Sequence, residues 1–165
     1  MMTTLLTFRR ACAIALAVGC LTAHAQTPPP SYGTPIALEQ AKKAMVAAEA
    51  EARKNNWSVV ISIVDTGGHL VMMQRMDAQN ASVDIATGKA RTAVNFRRST
   101  KALEDGLAAG GSAMRILAIP GVMPLQGGLP IVVDGKIIGA IGVSGVTSVQ
   151  DEQVAKAGIE TLNAK

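Results

Sequence analysis

Apolar residues recur every three or four positions in several stretches of the chain, which is the spacing of an amphipathic helix. The first stretch opens at Pro35, after the capping residue Thr34, and ends at Asn55. The second begins at Ser82, the predicted N-cap, and ends near Phe96. Its predicted polar side carries four cations: Lys89, Arg91, Arg97 and Arg98. Both stretches predict helices with one face on a core and one face in water.

Two further helices are predicted from the residues at their ends. A short one opens at Ser99 or Thr100 and ends before Gly110. The last has Thr147 and Gln150 at capping-box spacing, and the acidic residues that follow suit the positive end of a helix dipole.

Strands are predicted as two hairpins. Residues 57–64 and 69–74 are short segments rich in β-branched and apolar residues, and a glycine turn joins them. Residues 131–133 and 136–143 flank Asp134-Gly135, the preferred two-residue hairpin turn. A hairpin directly after a helix favours an antiparallel sheet over a Rossmann unit. The order of elements predicts a single α+β domain, in which one antiparallel sheet of about five strands is flanked by helices.

The first twenty-five residues have the pattern of a secretory signal peptide. Arg9 and Arg10 precede an uncharged, mostly apolar run over residues 11–22. Ala23-His24-Ala25 then supplies the small-x-small pattern that signal peptidase reads. The apolar run is too short to remain as a transmembrane helix.

We therefore expect residues 1–25 to be a signal peptide, residues 26–35 a proline-rich tether and residues 36–165 the folded domain. The protein is expected to work in the periplasm or outside the cell, with no membrane span in its mature chain. Two other routes stay open. Ala17–Cys20 resembles a lipoprotein box in which Cys20 would carry the lipid, and the paired arginines resemble a twin-arginine export signal.

Composition limits the chemistry of the mature chain. Both cysteines, Cys12 and Cys20, precede the cleavage site, so the domain has no disulfide and no thiol nucleophile. Lys and Arg exceed Asp and Glu by four in the full sequence, and Arg9 and Arg10 account for half of that excess. The mature chain is thus mildly positive and poor in aromatic residues, which argues against a nucleic-acid partner.

The remaining candidates for chemistry are few, because the chain has no P-loop, HExxH, GxSxG or dinucleotide motif. His69 is the one histidine after the signal peptide, and it is either a half-exposed hairpin residue or a ligand to iron. Arg75 and Asp77 form either a solvated ion pair or a site in which Arg75 binds a carboxylate. Lys89 and Thr92 lie three residues apart on one helix, so both can reach the same site.

Segments spanning most of residues 36–163 resemble the GlcG/HbpS family, which includes extracellular haem-binding proteins and the C-terminal domain of PduO-type proteins. The resemblance rests on four segments in the same order: SIVDTGGHLVMMQRMD (62–77), ATGKARTAVNF (86–96), GGLPIVVDGKIIGAIGVSG (127–145) and QDEQVAKAG (150–158). It implies a profilin-like antiparallel sheet flanked by helices, and it implies a homo-oligomer.

The resemblance also marks candidate ligand-binding positions, although it assigns no chemical role to them. These positions are Arg75, Met76, Asp77, Lys89, Thr92, Gly127 and Gly128. A haem would need an apolar slot, cations such as Arg75 or Lys89 for its propionates, and an axial ligand such as His69 or a methionine.

Three hypotheses of different kinds follow from these features. The first is an exported protein that binds haem, another tetrapyrrole or an iron-linked ligand. The second is a small-molecule catabolic enzyme or accessory protein of the GlcG type that uses Arg75, Asp77 and Lys89. The third is an oligomeric binding partner that carries out no chemistry.

N-terminal sequencing of the exported protein tests the predicted processing. We expect the mature chain to begin at Gln26, because signal peptidase cleaves after the small-x-small pattern. A lipid-modified Cys20 as the first residue would contradict this expectation.

Overall fold

Four antiparallel strands form one sheet in the order β2-β1-β4-β3, in a computed structural model that describes residues 28–163. The predicted signal peptide and its cleavage site lie outside the described residues. The strands are β1 (Val60–Asp65), β2 (Leu70–Arg75), β3 (Gly128–Val133) and β4 (Lys136–Ser144). The helices are α1 (Leu38–Lys54), α2 (Ala81–Phe96), α3 (Thr100–Ala109) and α4 (Ser148–Asn163), and a 3-10 helix covers Gly111–Ala118.

Both faces of the sheet are covered by helices, which explains why the central strands β1 and β4 are buried almost throughout. Ile61 and Ile63 of β1 lie in a core shared with α1 and α4. Val64 lies on the opposite face, in a cluster with Ala90 and Ala93 of α2. The alternation of β1 side chains therefore separates two cores, one on each side of the sheet.

The antiparallel sheet flanked by helices and the α+β class are confirmed, although the described residues contain four strands where about five were predicted. The turn at Asp134-Gly135 is also confirmed, because both residues have positive φ, 48° and 73°. The capping box at α4 is present as well. The Thr147 backbone N–H donates to Oε1 of Gln150, at 3.2 Å.

The N-terminus of the domain differs from the prediction. α1 begins at Leu38 rather than Pro35, and the Ala37 backbone N–H donates to Oε1 of Gln40 at 3.0 Å. Upstream, the Gly33 N–H donates to the Ile137 carbonyl at 2.8 Å, so this part of the predicted tether lies along β4. The chain is extended here because Pro35 disfavours a helical conformation in the residue before it.

The prediction that Ser82 caps α2 is wrong, because the Ser82 side chain bonds to the sheet. The helix begins at Ala81, and the Ser82 hydroxyl is buried, where it accepts a hydrogen bond from Ser144 at 3.3 Å. Ser82 therefore joins α2 to β4 instead of ending the helix. None of the described helices is long and apolar enough to cross a bilayer.

α2 packs directly on β4 because glycine and alanine meet at the contact. A Cβ added at Gly142 would overlap the carbonyl oxygen of Ala86 and lie 2.5 Å from the Ala90 nitrogen. A side chain at this position would push the helix away from the sheet.

We therefore expect Gly142→Ala to lower the free energy of unfolding by about 1–3 kcal/mol or more, since the helix backbone must move to admit one methyl group. Urea denaturation followed by circular dichroism measures this change. Gly106→Ala in α3 is the matched control, because its added Cβ would meet only the Ala113 side chain, at an ordinary 3.6 Å. Equal losses in the two variants would contradict the packing argument.

Candidate functional site

The residues predicted to bind a ligand lie in three separate places. Lys89, Thr92 and the Gly127-Gly128 pair are buried in the interior. Arg75, Met76 and Asp77 line an open cleft at the end of β2. His69 lies at the tip of the first hairpin.

Lys89 does not lie on the polar side of α2, where it was predicted. Its side chain is 2% exposed, and its Nζ lies 2.8 Å from Oδ2 of Asp151 on α4. The same ammonium donates to the Val143 carbonyl of β4 at 2.9 Å. Two buried opposite charges with additional hydrogen bonds satisfy each other, which is the condition under which buried charges are tolerated.

The glycine pair provides the space that this ion pair needs. Gly127 has φ 121°, and a Cβ added there would lie 2.9 Å from Nζ of Lys89. A Cβ at Gly128 would lie 2.5 Å from the Lys89 carbonyl oxygen. The Thr100 hydroxyl completes the contact by accepting from the Gly128 N–H at 2.9 Å. These glycines therefore allow close backbone packing around Lys89.

Thr92 fixes a loop instead of sharing a site with Lys89. Its hydroxyl accepts a hydrogen bond from the Met123 N–H at 2.8 Å, and its side chain is buried. This bond anchors the segment between the 3-10 helix and β3 to α2.

Asp151 is the partner that sequence reasoning missed. Burial raises the pKa of the Asp151 carboxyl, while its hydrogen bond to Lys89 opposes the rise. The other carboxylate oxygen accepts from the Val146 N–H at 3.2 Å. Both oxygens are thus used within the fold, and the pair is structural rather than a cation free to bind a ligand.

The Arg75 cleft is an open pocket of about 440 Å³. It is lined by Arg53, Asn56, Trp57, Ser58, Gln74, Arg75, Met76 and Asp77. Sequence reasoning named the last three of these residues and missed Arg53 and Trp57. The two come from the end of α1 and the segment before β1, and no motif links them to Arg75.

Arg75 is oriented by backbone and amide groups rather than by Asp77. Its Nε and Nη2 donate to the Ala78 carbonyl at 3.0 and 2.6 Å, and Nη2 also donates to Oδ1 of Asn80 at 2.8 Å. Asp77 is exposed and has a left-handed φ of 52°. No ion pair joins Arg75 to a carboxylate among residues 28–163, so no carboxylate in direct contact neutralises its guanidinium. Asp77, which also lines the cleft, is exposed to water.

His69 is far from this cleft. Its side chain is 82% exposed, and Nδ1 lies 3.3 Å from the Asp65 carboxylate. The His69 backbone N–H, together with that of Gly67, holds the pKa of Asp65 below its usual range. His69 precedes β2 and Arg75 ends it, so about 20 Å of extended strand separates them. One small ligand cannot contact both residues of a single chain.

The described part of the chain contains no cluster of side chains suited to bind a metal ion. Within it, no three histidine, cysteine, aspartate or glutamate side chains converge on a point that could hold an ion. Within the same residues, His69 pairs with a single carboxylate, that of Asp65.

Most of the chain matches a known protein family. Residues 36–160 match the family described as "Haem degrading protein HbpS-like". Protein GlcG of Escherichia coli K12 is 47% identical over 111 residues, which cover 66% of this chain and 81% of GlcG.

Solved structures share the fold. A double mutant of HbpS from Streptomyces reticuli superposes with a TM-score of 0.74 at 34% identity, covering 94% of this chain and all of that one. A structure described as a PduOC:haem complex superposes with a TM-score of 0.73 at 30% identity, covering 80% of this chain and 98% of that one.

We expect Lys89→Met to lower the free energy of unfolding by about 3–5 kcal/mol at neutral pH, because it leaves the Asp151 carboxylate buried without its counter-charge. Burial already raises the pKa of Asp151 above 3.8, so the folded protein holds this proton more tightly than the unfolded chain does. Lowering the pH from 7 towards 3.8 should therefore reduce the loss of unfolding free energy in the variant, since protonation of Asp151 removes the unpaired charge.

Urea unfolding of the variant and the wild type, from neutral pH down to about pH 4, measures both the loss of stability and its dependence on pH. Lys43→Met, at an exposed position of α1, is the control and should change little. A Lys89→Met protein as stable as the control would show that the ion pair does not support the fold.

Proposed function

Because the chain belongs to the HbpS-like family, we propose that it is an exported protein that binds haem or a related tetrapyrrole in the Arg75 cleft. One observation carries the choice of cleft: two guanidinium groups, an indole ring and a thioether line the same open pocket. The family description and the haem complex of a structurally similar protein support the ligand class. The signal-peptide pattern of residues 1–25 supports export.

The two arginines suit the propionates of a haem. Arg53 forms an ion pair with Glu49, to which its Nε and Nη2 donate at 2.9 and 2.5 Å, and Arg75 donates to Ala78 and Asn80. These bonds use only part of the five N–H donors that each guanidinium carries. The remaining donors can form charge-assisted hydrogen bonds with carboxylates, at little cost in side-chain ordering.

The apolar part of the pocket suits the macrocycle and its iron. Trp57 offers an aromatic surface on which a planar ring can stack. Met76 is half-buried against the main core, and its thioether is the one soft ligand among the described lining residues. Bound haem would supply redox and oxygen chemistry, while this chain would hold the propionates and present Met76 to the metal.

The alternative of a catabolic enzyme required Lys89 to act on a substrate together with Arg75 and Asp77. Lys89 is enclosed with Asp151 and cannot reach a substrate in the Arg75 cleft without breaking the ion pair. Assembly into a homo-oligomer is part of the proposal, because large apolar side chains such as Val46 and Val149 are more than 60% exposed.

Haemin titration followed by the Soret absorbance tests the site. We expect Arg75→Ala and Arg53→Ala each to weaken binding about tenfold or more, because each removes a charge-assisted hydrogen bond to a propionate, a loss of roughly 1.5–3 kcal/mol. Met76→Leu should instead shift the absorbance bands, since it changes the ligand field and not the anchoring.

Lys43→Ala and His69→Ala are the controls, and both should bind haemin with wild-type affinity and unchanged bands. A band shift with His69→Ala but not with Met76→Leu would move the iron to the hairpin tip. Equal binding by all five variants, with unchanged bands, would show that the Arg75 cleft does not hold haem.

A further inference from the structure

A second recess, which we call the α3 groove, lies between α3 and the 3-10 helix and has a volume of about 400 Å³. It shares no lining residue with the Arg75 cleft. Its walls are mostly apolar: Phe96, Ala102, Leu103, Gly106, Ala113, Ile116 and Ile119. Its polar lining consists of Ser112 and two arginines, Arg98 and Arg115.

We propose that the α3 groove binds an amphipathic carboxylate, a small molecule with an apolar body and a single anionic head. The apolar walls would bury the body, and the gain would grow with the apolar area removed from water. The volume lies within the range of small-molecule pockets.

The charge of the groove selects for an anion. Arg98 and Arg115 are exposed, and none of the described lining residues is acidic. Arg98 is oriented by a hydrogen bond of 3.3 Å from its Nε to the Phe96 carbonyl, which leaves its terminal N–H groups for a ligand. Two guanidinium groups beside an apolar recess match a carboxylate attached to an apolar body.

The 3-10 helix gives this groove a wall that can adjust. It is eight residues long, which is unusual for this type of helix, and none of its residues is buried. Gly110 and Gly121 flank it with φ of 74° and 77°, and a Cβ added at either would meet nothing within 4 Å. A wall with so little packing can move towards a ligand at small energetic cost.

Large apolar side chains on and just after the 3-10 helix are exposed. Met114 and Leu117 are 49% and 58% exposed, and Ile119, which lines the groove, is 46% exposed. Three such side chains within six residues are consistent with a surface that binds an apolar group. The adjacent arginines favour an anionic small molecule as the occupant.

Displacement of a fluorescent fatty acid, 11-(dansylamino)undecanoate, tests the proposal on the purified protein. Octanoate should displace the probe, while octylamine and octanol, which have a similar apolar body but no anionic head, should compete at least about tenfold more weakly. Arg98→Gln and Arg115→Gln should each weaken octanoate about tenfold, and Lys43→Gln should not.

Two variants of Gly106 separate the shape of the groove from its charge. Gly106→Leu should fill the groove and abolish displacement, whereas Gly106→Ala, whose Cβ has room, should retain it. Octanoate should leave haemin binding unchanged, because the two pockets have no lining residue in common.

Several results would overturn the proposal. Equal competition by octylamine would show that the groove does not recognise a carboxylate, and full binding by Gly106→Leu would show that the carboxylate binds elsewhere. If no ligand binds and sedimentation shows that Ile116→Asp separates an oligomer into monomers, the groove is a contact between copies instead. Loss of haemin affinity in the Arg98 and Arg115 variants, but not in Arg75→Ala, would place haem in the groove and reject the Arg75 cleft.

Discussion

A buried ion pair between Lys89 and Asp151 holds three elements of the fold together. It joins α2 to α4, and its ammonium also binds the Val143 carbonyl of β4. Two charges removed from water are tolerated only where their geometry is good and their remaining hydrogen bonds are made. The chain meets this condition by placing glycine at 127 and 128, where any larger residue would collide with Lys89. Three elements therefore meet at one buried contact.

Because of this contact, the buried candidate residues are not available to bind a ligand. A lysine, a threonine and two glycines that look like a ligand site in the sequence are already occupied by one another and by neighbouring backbone. The two proposed ligand sites both lie where secondary structure ends. The Arg75 cleft lies where β2 and α1 end, and the α3 groove lies where α3 gives way to the 3-10 helix. Residues at the ends of helices and strands can be substituted without disturbing the core.

Local signals in the sequence predicted the elements well, because they act over a few residues. The Asp134-Gly135 turn and the capping box of α4 needed no tertiary contact to be identified. Lys89 was assigned to water because of its residue type, although its spacing from Ala86, Ala90 and Ala93 places it on the buried face of α2. That spacing was the available signal.

Other features had no local signal. Asp151 lies 62 residues after Lys89, and nothing in the sequence pairs them. Arg53 and Trp57 join Arg75 only because the sheet brings the end of α1 beside the end of β2. The separation of His69 from Arg75 follows from strand direction, since residues at opposite ends of one strand cannot share a small ligand.

Lys89 supports the fold and, if haem binds in the Arg75 cleft, does not contact it. Haemin binding by a Lys89→Met, Asp151→Leu double variant measures this separation, because replacing both charges leaves neither one unpaired. We expect a folded protein that binds haemin with the affinity and absorbance bands of the wild type. A folded double variant that binds haemin about tenfold more weakly would instead show that Lys89 belongs to the ligand site.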